Sequence, residues 1–544
     1  MEISRQDVVV VALFVYMCCT NKSYGDDVSV MLFSWVNMLL TGYFLLRLLF
    51  QRGGLVAQNL ALLSVEFVTC YESVLGIMQI VGVADSNNYL FICTGTFDNP
   101  GPLGGFLAIG LCVSLAEIQL IRSQSKSIPI SALDRIILGM SYLTFFLCGI
   151  MIPSTQSRAA WMSIMVCVFF FCIKNPKTFA WIKAHWLVSL IGISVILTFV
   201  FVFKRPSSNG RLFTYKIELK AIKRNGFNGV GMGHFSNAYG ITQRDFFAKT
   251  ISLEDGQLRY DKSDKDRVFA DNPKVGFNEY LQLGIEFGAG PLIIFLSLIV
   301  IILYRLFQLH SPFFYGMVSM LVFAFFSYPF SLWEFLVLFL VFAAIAGHKR
   351  KMSGSFMTGK ILFALSCLIP VVVFHKSADA LRISYETEKM WKRQRPLFDS
   401  GDYRSYEYCC SQLYPDLQCN CAFLYEYAYC LFENGKIDES EKVLNQSMAL
   451  SGNSLSFILL GDIHKKQGLI AEAEHDYYNS FLALPDRLYP LYKLAVLYYD
   501  SNQEEKYQNM VRSIEEFHPR IESESTNQIR VMLKSHRYRY EKTM

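Results

Sequence analysis

The chain has 544 residues, of which 52% are hydrophobic and only 18% are charged. Soluble domains of ordinary composition carry about 25% charged residues, so this composition excludes a simple soluble enzyme. The 51 basic and 46 acidic residues leave a net charge of +5, which is too small and too dispersed to favour a nucleic-acid partner.

Long apolar runs in the first 375 residues predict membrane-spanning helices. Uncharged runs occupy the intervals 7–22, 27–47, 135–158, 158–174, 183–204 and 286–305. Two further apolar segments, 55–84 and 103–120, have only Glu66, Glu72 and Glu117 as charged residues. A helical hairpin over 306–348 and a last span at 361–375 bring the predicted number of transmembrane helices to about eleven.

The distribution of Lys and Arg between alternate loops predicts the orientation of these helices. The richer side has Arg5, Arg47, Arg52, Arg122, Lys126, Arg135, Lys174, Lys177, Lys183, Arg305, Lys349, Arg350, Lys351 and Lys360. The other side has only Lys22 and Arg158. Because cytoplasmic loops are enriched in Lys and Arg, the outer loop 204–286 and all residues after 375 are predicted to lie on the outer side of the membrane.

Residues 376–544 form a second, more polar domain with a repeated pattern. Glycines recur at Gly401, Gly435 and Gly468, 34 and 33 residues apart, and the segment 457–485 has the small and aromatic residues of a tetratricopeptide unit. We therefore predict an all-α chain, in which a polytopic membrane helix bundle is followed by an α-solenoid of tetratricopeptide-like repeats. Such an array either binds a peptide or protein partner, or serves as a structural lid or dimerisation element.

Five cysteines lie in this predicted outer domain: Cys409, Cys410, Cys419, Cys421 and Cys430. They have no His partners at metal-ligand spacing, so a metal site is not indicated. In an oxidising compartment they could form one or two disulfides, whose pairing the sequence leaves open.

The outer loop 204–286 contains the residues that indicate chemistry. Gly210-Arg211 stands near its start, and a glycine-rich turn follows at Gly229, Gly231 and Gly233, before Tyr239. This turn lacks the preceding strand and the helix spacing of a nucleotide-binding motif, so alone it predicts only a tight turn. Near the end of the loop, Asn278-Glu279-Tyr280-Leu281-Gln282 precedes Glu286-Phe287-Gly288.

Two further segments complete an ordered set: Ser157-Arg158 at a helix mouth, and Thr96 to Gly101, which contains Asn99. This set resembles the O-antigen ligase superfamily, which includes lipopolysaccharide O-antigen ligases, O-antigen polymerases and protein O-oligosaccharyltransferases. The resemblance covers residues 1–375. It implies that a glycan passes from a polyprenyl-pyrophosphate carrier to the hydroxyl of a lipid or protein acceptor, at the periplasmic face of a bacterial inner membrane.

The resemblance also implies roles for particular residues. Arg158 and Arg211 would bind the donor pyrophosphate, because a planar guanidinium makes bidentate hydrogen bonds to phosphate and stabilises the charge on the leaving group. The residues that would position the loops are Gly229, Gly231, Gly233, Tyr239 and Asn99. Because a lipid pyrophosphate already departs well, neither a metal ion nor another cofactor is expected.

One position departs from the family pattern, since Phe277 precedes Asn278 where the ligases typically have His. Glu279, Asp271 or His234 would then take the proton from the acceptor, or Asn278 would position the acceptor without a strict base. A purely structural alternative is that Asn278 and Glu279 cap the helix that follows. The sequence leaves these alternatives open, and Glu279 and Asn278 are the preferred candidates.

Two other functions stay open on the sequence alone. A polymerase that joins lipid-linked repeat units would use the same donor chemistry without needing an outer binding domain. A transporter or flippase with a repeat-based binding module would line its path with intramembrane glutamates. Glu66 and Glu72 are six residues apart and do not share a helix face, so they are not assigned to a site.

Overall fold

The computed structural model describes residues 4–21, 27–125, 129–174, 176–189, 191, 192, 194, 205–261, 265–347, 382, 383, 385–418 and 420–543. The structure is 78% helical, which confirms the predicted all-α class. The described strands, Ile251–Glu254 and Gln257–Tyr260, form one antiparallel hairpin.

The described residues pack into two compact units. The first unit is built from the described parts of Met1–Lys22, Phe33–Ser208 and Val275–His375, and the second from those of Ser23–Leu32, Asn209–Lys274 and Lys376–Met544. The domain boundary at residue 375 stays a prediction. The contacts assign most of the outer loop to the unit that contains the C-terminal helices.

The first unit contains the apolar helices. Their bounds are Arg5–Asn21, Asp27–Ile80, Pro100–Gln124, Ala132–Thr155, Arg158–Lys174, Pro176–Ala184, Glu279–Phe287, Ala289–Gln308, Phe313–Phe326 and Trp333–Ala346. Four described segments are long and apolar enough to cross a bilayer, namely Val36–Ile80, Pro100–Gln124, Ala132–Thr155 and Ala289–Gln308. The bent pair Arg158–Lys174 and Pro176–Ala184 would make a fifth crossing if it is counted as one span.

The predicted total of about eleven spans therefore stays a prediction. Val36–Ile80 has 45 residues, about twice the length that one crossing requires. The backbone leaves helical geometry at Gly54, where φ is 54°, and the sequence predicts a loop between two spans at this point. The predicted span at 361–375 and most of the one at 183–204 lie outside the described residues.

The helix Pro100–Gln124 of the first unit packs against Ala132–Thr155, Arg158–Lys174 and Phe313–Phe326. It also meets Asp27–Ile80, since a Cβ at Gly110 would lie 2.3 Å from Thr69 Cγ2. Glycines allow this close packing. A Cβ at Gly105 would lie 2.4 Å from the ring of Phe323, and a Cβ at Gly104 would lie 2.6 Å from Thr155 Oγ1. Small residues at helix contacts are common in membrane proteins, because van der Waals packing drives helix association there.

The second unit contains the polar helices and the strand hairpin. Its helices are Phe235–Phe247, Tyr403–Leu417, Cys421–Glu433, Ile437–Leu450, Ser454–Lys466, Ile470–Ala483, Tyr489–Asp500, Glu504–Glu515 and Glu524–Thr543, together with most of Arg205–Asn225 and a helical segment at 385–399. A short 3-10 helix, Asp266–Phe269, follows the strands. We call Arg205–Asn225 the loop helix and Phe235–Phe247 the second loop helix.

The C-terminal helices between residues 385 and 515 form four hairpins, and each hairpin has a left-handed turn between its two helices. The turns are centred on Gly401, Gly435, Gly468 and Asn502, with φ of 81°, 83°, 79° and 55°, so that they are 34, 33 and 34 residues apart. In each turn the N–H of the next residue donates to the carbonyl five residues earlier, as Lys436 does to Leu431 O at 2.8 Å. The glycine spacing in the sequence indicates the first three turns. The fourth has Asn, which also tolerates this conformation.

These hairpins agree with a helical repeat, and their assignment to the tetratricopeptide family stays a prediction. Within each hairpin, the helix before the turn is called the first helix and the helix after it the second helix. Four outer cysteines, Cys409, Cys410, Cys421 and Cys430, are free thiols in the structure. Cys419 lies outside the described residues.

The turn of the strand hairpin generates a test of the packing in the second unit. Gly256 has φ of 76°, and a Cβ there would lie 2.3 Å from Lys506 O. Gly226 has φ of 65° with nothing within 4 Å of a Cβ, so it is a matched control. We expect Gly226→Ala to cost about 1 kcal/mol in backbone strain and Gly256→Ala to cost more, because the Lys506 backbone must also move. Thermal unfolding of the purified full chain measures both, and equal melting temperatures would contradict this packing.

Candidate active site

The loop helix contains Arg211, and one face of this helix is buried. The buried side chains recur at the helical spacing and are Phe213, Thr214, Ile217, Glu218 and Ala221. The Phe213 ring packs against Phe247 of the second loop helix, with ring centroids 5.7 Å apart. Arg211 itself is half-buried. The aromatic contact therefore fixes the orientation of the helix that presents the predicted donor-binding guanidinium.

Arg158 is the first residue of its helix, as the predicted helix mouth requires. Its Nη1 donates to Ser208 Oγ, and the guanidinium is half-buried. Ser157 Oγ donates to Gly101 O at 3.2 Å, so the Ser-Arg pair contacts the segment that contains Asn99. The structure therefore brings together two of the predicted segments in the first unit.

Asn99 acts as the N-cap of Pro100–Gln124, because its Oδ1 accepts a hydrogen bond from Gly101 N at 2.8 Å. A side-chain cap of this kind satisfies a backbone donor that has no partner within the helix. Its predicted role in positioning the loop is thus compatible with a local structural task. Arg158 lies in the first unit and Arg211 in the second, and the joint action of the two arginines stays a prediction.

The glycine-rich turn has the tight geometry that its sequence predicts. Gly229, Gly231 and Gly233 have φ of 66°, 94° and 83°, a region that L side chains rarely adopt, so each of these positions favours glycine. The turn leads through His234 into the second loop helix, and His234 Nδ1 lies 3.1 Å from Met232 O. Tyr239 is fully buried in that helix, and burial raises the pKa of its hydroxyl well above the ordinary value.

Asn278 caps the helix Glu279–Phe287, as the structural alternative predicts. Its Oδ1 accepts hydrogen bonds from Tyr280 N at 3.1 Å and from Leu281 N at 3.2 Å. The preceding Phe277, at the position where the ligases that the sequence resembles typically have His, packs edge-on against the Tyr328 ring with centroids 5.9 Å apart. At this position the chain therefore offers an aromatic contact in place of an imidazole.

The carboxylate of Glu279 binds the backbone of the turn at Phe330 and Ser331. Its Oε1 accepts hydrogen bonds from the backbone N–H groups of Phe330, at 2.6 Å, and Ser331, at 3.2 Å. Only 7% of the residue is exposed. Burial raises the pKa of Glu279 to about 8, the two backbone donors oppose this shift, and the charge of Glu286 adds to it. A carboxyl poised near neutral pH has the protonation behaviour that a general base needs.

The other two candidate bases are His234, which leads into the second loop helix, and Asp271. Asp271 is exposed, and its Oδ1 accepts a hydrogen bond from Asn272 N at 2.8 Å. The glutamates of the apolar helices also lie in separate surroundings. Glu72 accepts hydrogen bonds from Thr96 N and Oγ1 at 3.0 and 2.6 Å, whereas Glu66 accepts one from Ser141 Oγ at 2.5 Å.

Glu218 is a completely buried carboxyl that was not among the residues predicted from the sequence. Among the described residues, neither of its carboxylate oxygens has a hydrogen-bond partner. Burial raises the pKa of Glu218 to about 8. Glu218 is seven residues after Arg211, which places both on one face of the loop helix. The apolar residues at 213, 217 and 221 were the available signal that this face is buried.

Metal ligands are not grouped in the parts of the chain that the structure describes. No three residues among the described His, Cys, Asp and Glu side chains lie together in a way that could hold an ion. The candidate residues of the first unit are Asn99, Arg158, Asn278 and Glu279, and those of the second unit are Arg211, Glu218, Tyr239 and the glycine-rich turn.

Comparison with known protein families gives a match over part of the chain. Residues 143–296 match the family model described as O-antigen ligase. This range includes every predicted site residue except Asn99. Gly101, two residues after Asn99, accepts a hydrogen bond from Ser157 of the matched range. No curated protein and no solved structure matches the chain. Residues 143–296 are thus similar to the O-antigen ligase family.

Proposed function

We propose that the protein transfers a glycan from a polyprenyl-pyrophosphate carrier to an acceptor hydroxyl, as an O-antigen ligase or a protein O-oligosaccharyltransferase. The family match over residues 143–296 is the observation that carries this proposal. The apolar helices that flank and overlap this domain are suited to a donor whose lipid tail stays in the bilayer. By the positive-inside rule, the reaction takes place at the periplasmic face of the bacterial inner membrane.

In the proposed reaction, the acceptor hydroxyl oxygen attacks the anomeric carbon of the donor sugar while the bond to the pyrophosphate breaks. The hydroxyl proton passes to a base, for which Glu279 is the preferred candidate. The pyrophosphate leaves with its electron pair, and Arg158 and Arg211 stabilise the negative charge that it gains. The contact of Arg158 with Ser208 restricts the guanidinium to one orientation, which lowers the entropic cost of binding a phosphate. The arginines thus take the electrostatic role that a divalent metal has in other transferases, and we propose that transfer is metal-independent.

The first test concerns the two arginines. Arg158→Lys and Arg211→Lys keep the charge but lose the planar bidentate fork, so each should reduce glycan transfer at least tenfold, about 1.4 kcal/mol of transition-state stabilisation. The assay is transfer by purified protein, run with and without a chelator, together with the amount of lipid-linked donor that accumulates in cells. Arg224→Lys is the matched control, because Arg224 lies on the same helix and its side chain is 50% exposed beside Asp245. Near wild-type rates for both site variants would remove the main physical support for the proposal.

The second test asks whether Glu279 takes the proton or only holds the turn at Phe330. Glu279→Gln retains an oxygen that can accept from the backbone of Phe330 and Ser331, whereas Glu279→Ala removes it. If Glu279 is the base, the wild-type rate should rise with pH through about 8, where the carboxyl ionises. Glu279→Gln should then lose about 10²-fold in rate together with this pH dependence.

A purely structural role for Glu279 gives the opposite pattern. Glu279→Gln would then transfer glycan at the wild-type rate with an unchanged pH profile, and only Glu279→Ala would be impaired. In that case Glu279→Ala should also melt at a lower temperature, because two buried N–H groups would lose their acceptor.

A third test concerns Glu218, which we propose is kept buried for the reaction at a cost in stability. The carboxyl titrates near 4.5 when exposed and near 8 in the folded chain. Between these values the folded state holds a proton that the unfolded state has lost, so stability should fall as pH rises. Glu218→Gln cannot ionise and should therefore be more stable than wild type at pH 8, by an amount on the order of several kcal/mol, with the difference shrinking toward pH 5.

Thermal unfolding of the full chain at several pH values measures this effect, and Glu505→Gln, at an exposed position, is the control. If Glu218 takes part in transfer, the stabilised Glu218→Gln variant should also be less active. A variant with unchanged melting temperature at pH 8 would contradict the buried, neutral carboxyl.

A polymerase that joins lipid-linked repeat units belongs to the same superfamily and uses the same donor chemistry. Analysis of the product distinguishes the two functions. A ligase or oligosaccharyltransferase attaches the donor glycan to a chemically different acceptor, whereas a polymerase lengthens the glycan on the carrier lipid.

A further inference from the structure

We propose that the C-terminal helices position the loop that carries Arg211, and that Gln243 and Arg267 are the positioning residues in this arrangement. The inference rests on the proposed function, because it assigns a donor-binding role to Arg211. It goes beyond the expectation that the repeats bind a peptide or protein partner, or serve as a structural lid or dimerisation element. All contacts that support it lie within the second unit.

The loop binds the carbonyl groups at the ends of the second helices of the hairpins. Gln243 Nε2 donates to Ala483 O at 2.7 Å, and Asn237 Nδ2 donates to Ala449 O at 2.7 Å. Each acceptor is in the last turn of its helix, where carbonyls have no partner within the helix. The loop therefore supplies capping donors to two consecutive hairpins.

The charged guanidinium of Arg267 also donates hydrogen bonds to carbonyls near the ends of second helices. Its Nη1 donates to Pro485 O at 3.0 Å and its Nη2 to His518 O at 2.9 Å. Both carbonyls follow the end of a second helix within three residues, where the helix dipole favours a cation. The guanidinium also lies over the Phe517 ring, 4.6 Å from its centroid, and the residue is only 9% exposed. A buried cation with these partners is costly to remove.

Gln243 is also buried, with 1% exposure, and its side chain links the loop to the C-terminal helices. Besides Ala483, its Nε2 donates to Asp271 O at 3.0 Å. The strand hairpin also contacts the second helix of the fourth hairpin, Glu504–Glu515. Asn509 Nδ2 donates to Asp255 O at 2.9 Å, and Leu258 N donates to Ser513 Oγ at 3.1 Å. The loop is thus held along three consecutive hairpins.

The held segment is in turn connected to the loop helix. Lys216 Nζ lies 2.5 Å from Asp266 Oδ2, and Asp266 is the neighbour of Arg267 in the chain. The Phe213 ring packs against Phe247, four residues after Gln243 in the second loop helix. Phe213 and Lys216 lie within two turns after Arg211, so a displacement of the anchored segment would carry Arg211 with it.

The loop contacts the second helices of the hairpins, and the first helices are therefore available to bind a partner. Lys465 and Asp462 belong to a first helix and pair with Asp500 and Lys493 within the array. A partner that binds the first helices would therefore coexist with the docked loop. The experiment has to separate effects on the donor from effects on the acceptor.

The test measures steady-state transfer by the purified full chain with Arg267→Ala or Gln243→Ala, varying donor and acceptor independently. If the anchors position Arg211, kcat/KM for the lipid-linked donor should fall at least tenfold in both variants, while the KM for the acceptor stays unchanged. Lys465→Ala is the matched control, because it breaks an ion pair of the array that does not involve the loop, and it should behave as wild type.

A covalent tether provides a rescue that a merely structural defect would not show. A Cβ at Gly240 would lie 3.3 Å from Gly452 Cα and 3.1 Å from Gly452 O, so cysteines at the two positions are within reach of a disulfide once the backbone moves apart by a few tenths of an ångström. In the Arg267→Ala background, Gly240→Cys with Gly452→Cys should restore donor kcat/KM under oxidising conditions and lose it again with a reductant. The two single cysteine variants control for the native thiols.

Several outcomes would overturn the inference. A rise in acceptor KM alone would show that the array recruits the acceptor. Unchanged donor kcat/KM in both anchor variants, with Arg211→Lys impaired, would show that the anchors do not matter for the donor. If Arg211→Lys is itself fully active, the proposed function fails, and the inference that rests on it fails too.

Discussion

Backbone carbonyls at the ends of helices are the constraint on which the second unit depends. Every helix leaves its last carbonyls without an internal partner, and a stack of helical hairpins repeats this deficit at each hairpin. In this chain the outer loop supplies part of what is missing. Gln243, Asn237 and Arg267 donate to carbonyls at or just beyond the ends of second helices. The donors lie more than 200 residues before their acceptors, so these hydrogen bonds join the loop to the C-terminal helices across a long separation in the chain.

The same residues often serve structure and proposed chemistry. Asn99 and Asn278 belong to the motifs that resemble the ligase superfamily, and both cap the helix that follows them. A capped helix start is rigid, and rigidity is what a substrate-positioning residue requires. Capping and positioning are therefore compatible tasks, and the observation of a cap does not decide against a role in transfer. Only variants that separate the two tasks can do so.

Glu218 and Glu279 differ from the many exposed acidic residues of the chain because their carboxyl groups are buried. Burial raises the pKa of both to about 8, although Glu279 has two backbone donors and Glu218 has no hydrogen-bond partner among the described residues. A neutral buried carboxyl without partners costs free energy, which a stabilising substitution would recover. Such a cost is commonly found at functional sites, where proton transfer or charge stabilisation requires it.

The sequence by itself determined the fold class, the apolar first part, the glycine turn and the ligase resemblance, because these depend on local composition, spacing and order. It also located three of the four hairpin turns, since Gly401, Gly435 and Gly468 are needed where φ is positive. Only the tertiary structure decided that the outer loop packs with the C-terminal helices and that Glu218 is buried. It also decided that Glu279 binds the turn at Phe330. These features join residues that are far apart in the chain, and no local pattern specifies which distant carbonyl a side chain such as Arg267 will find.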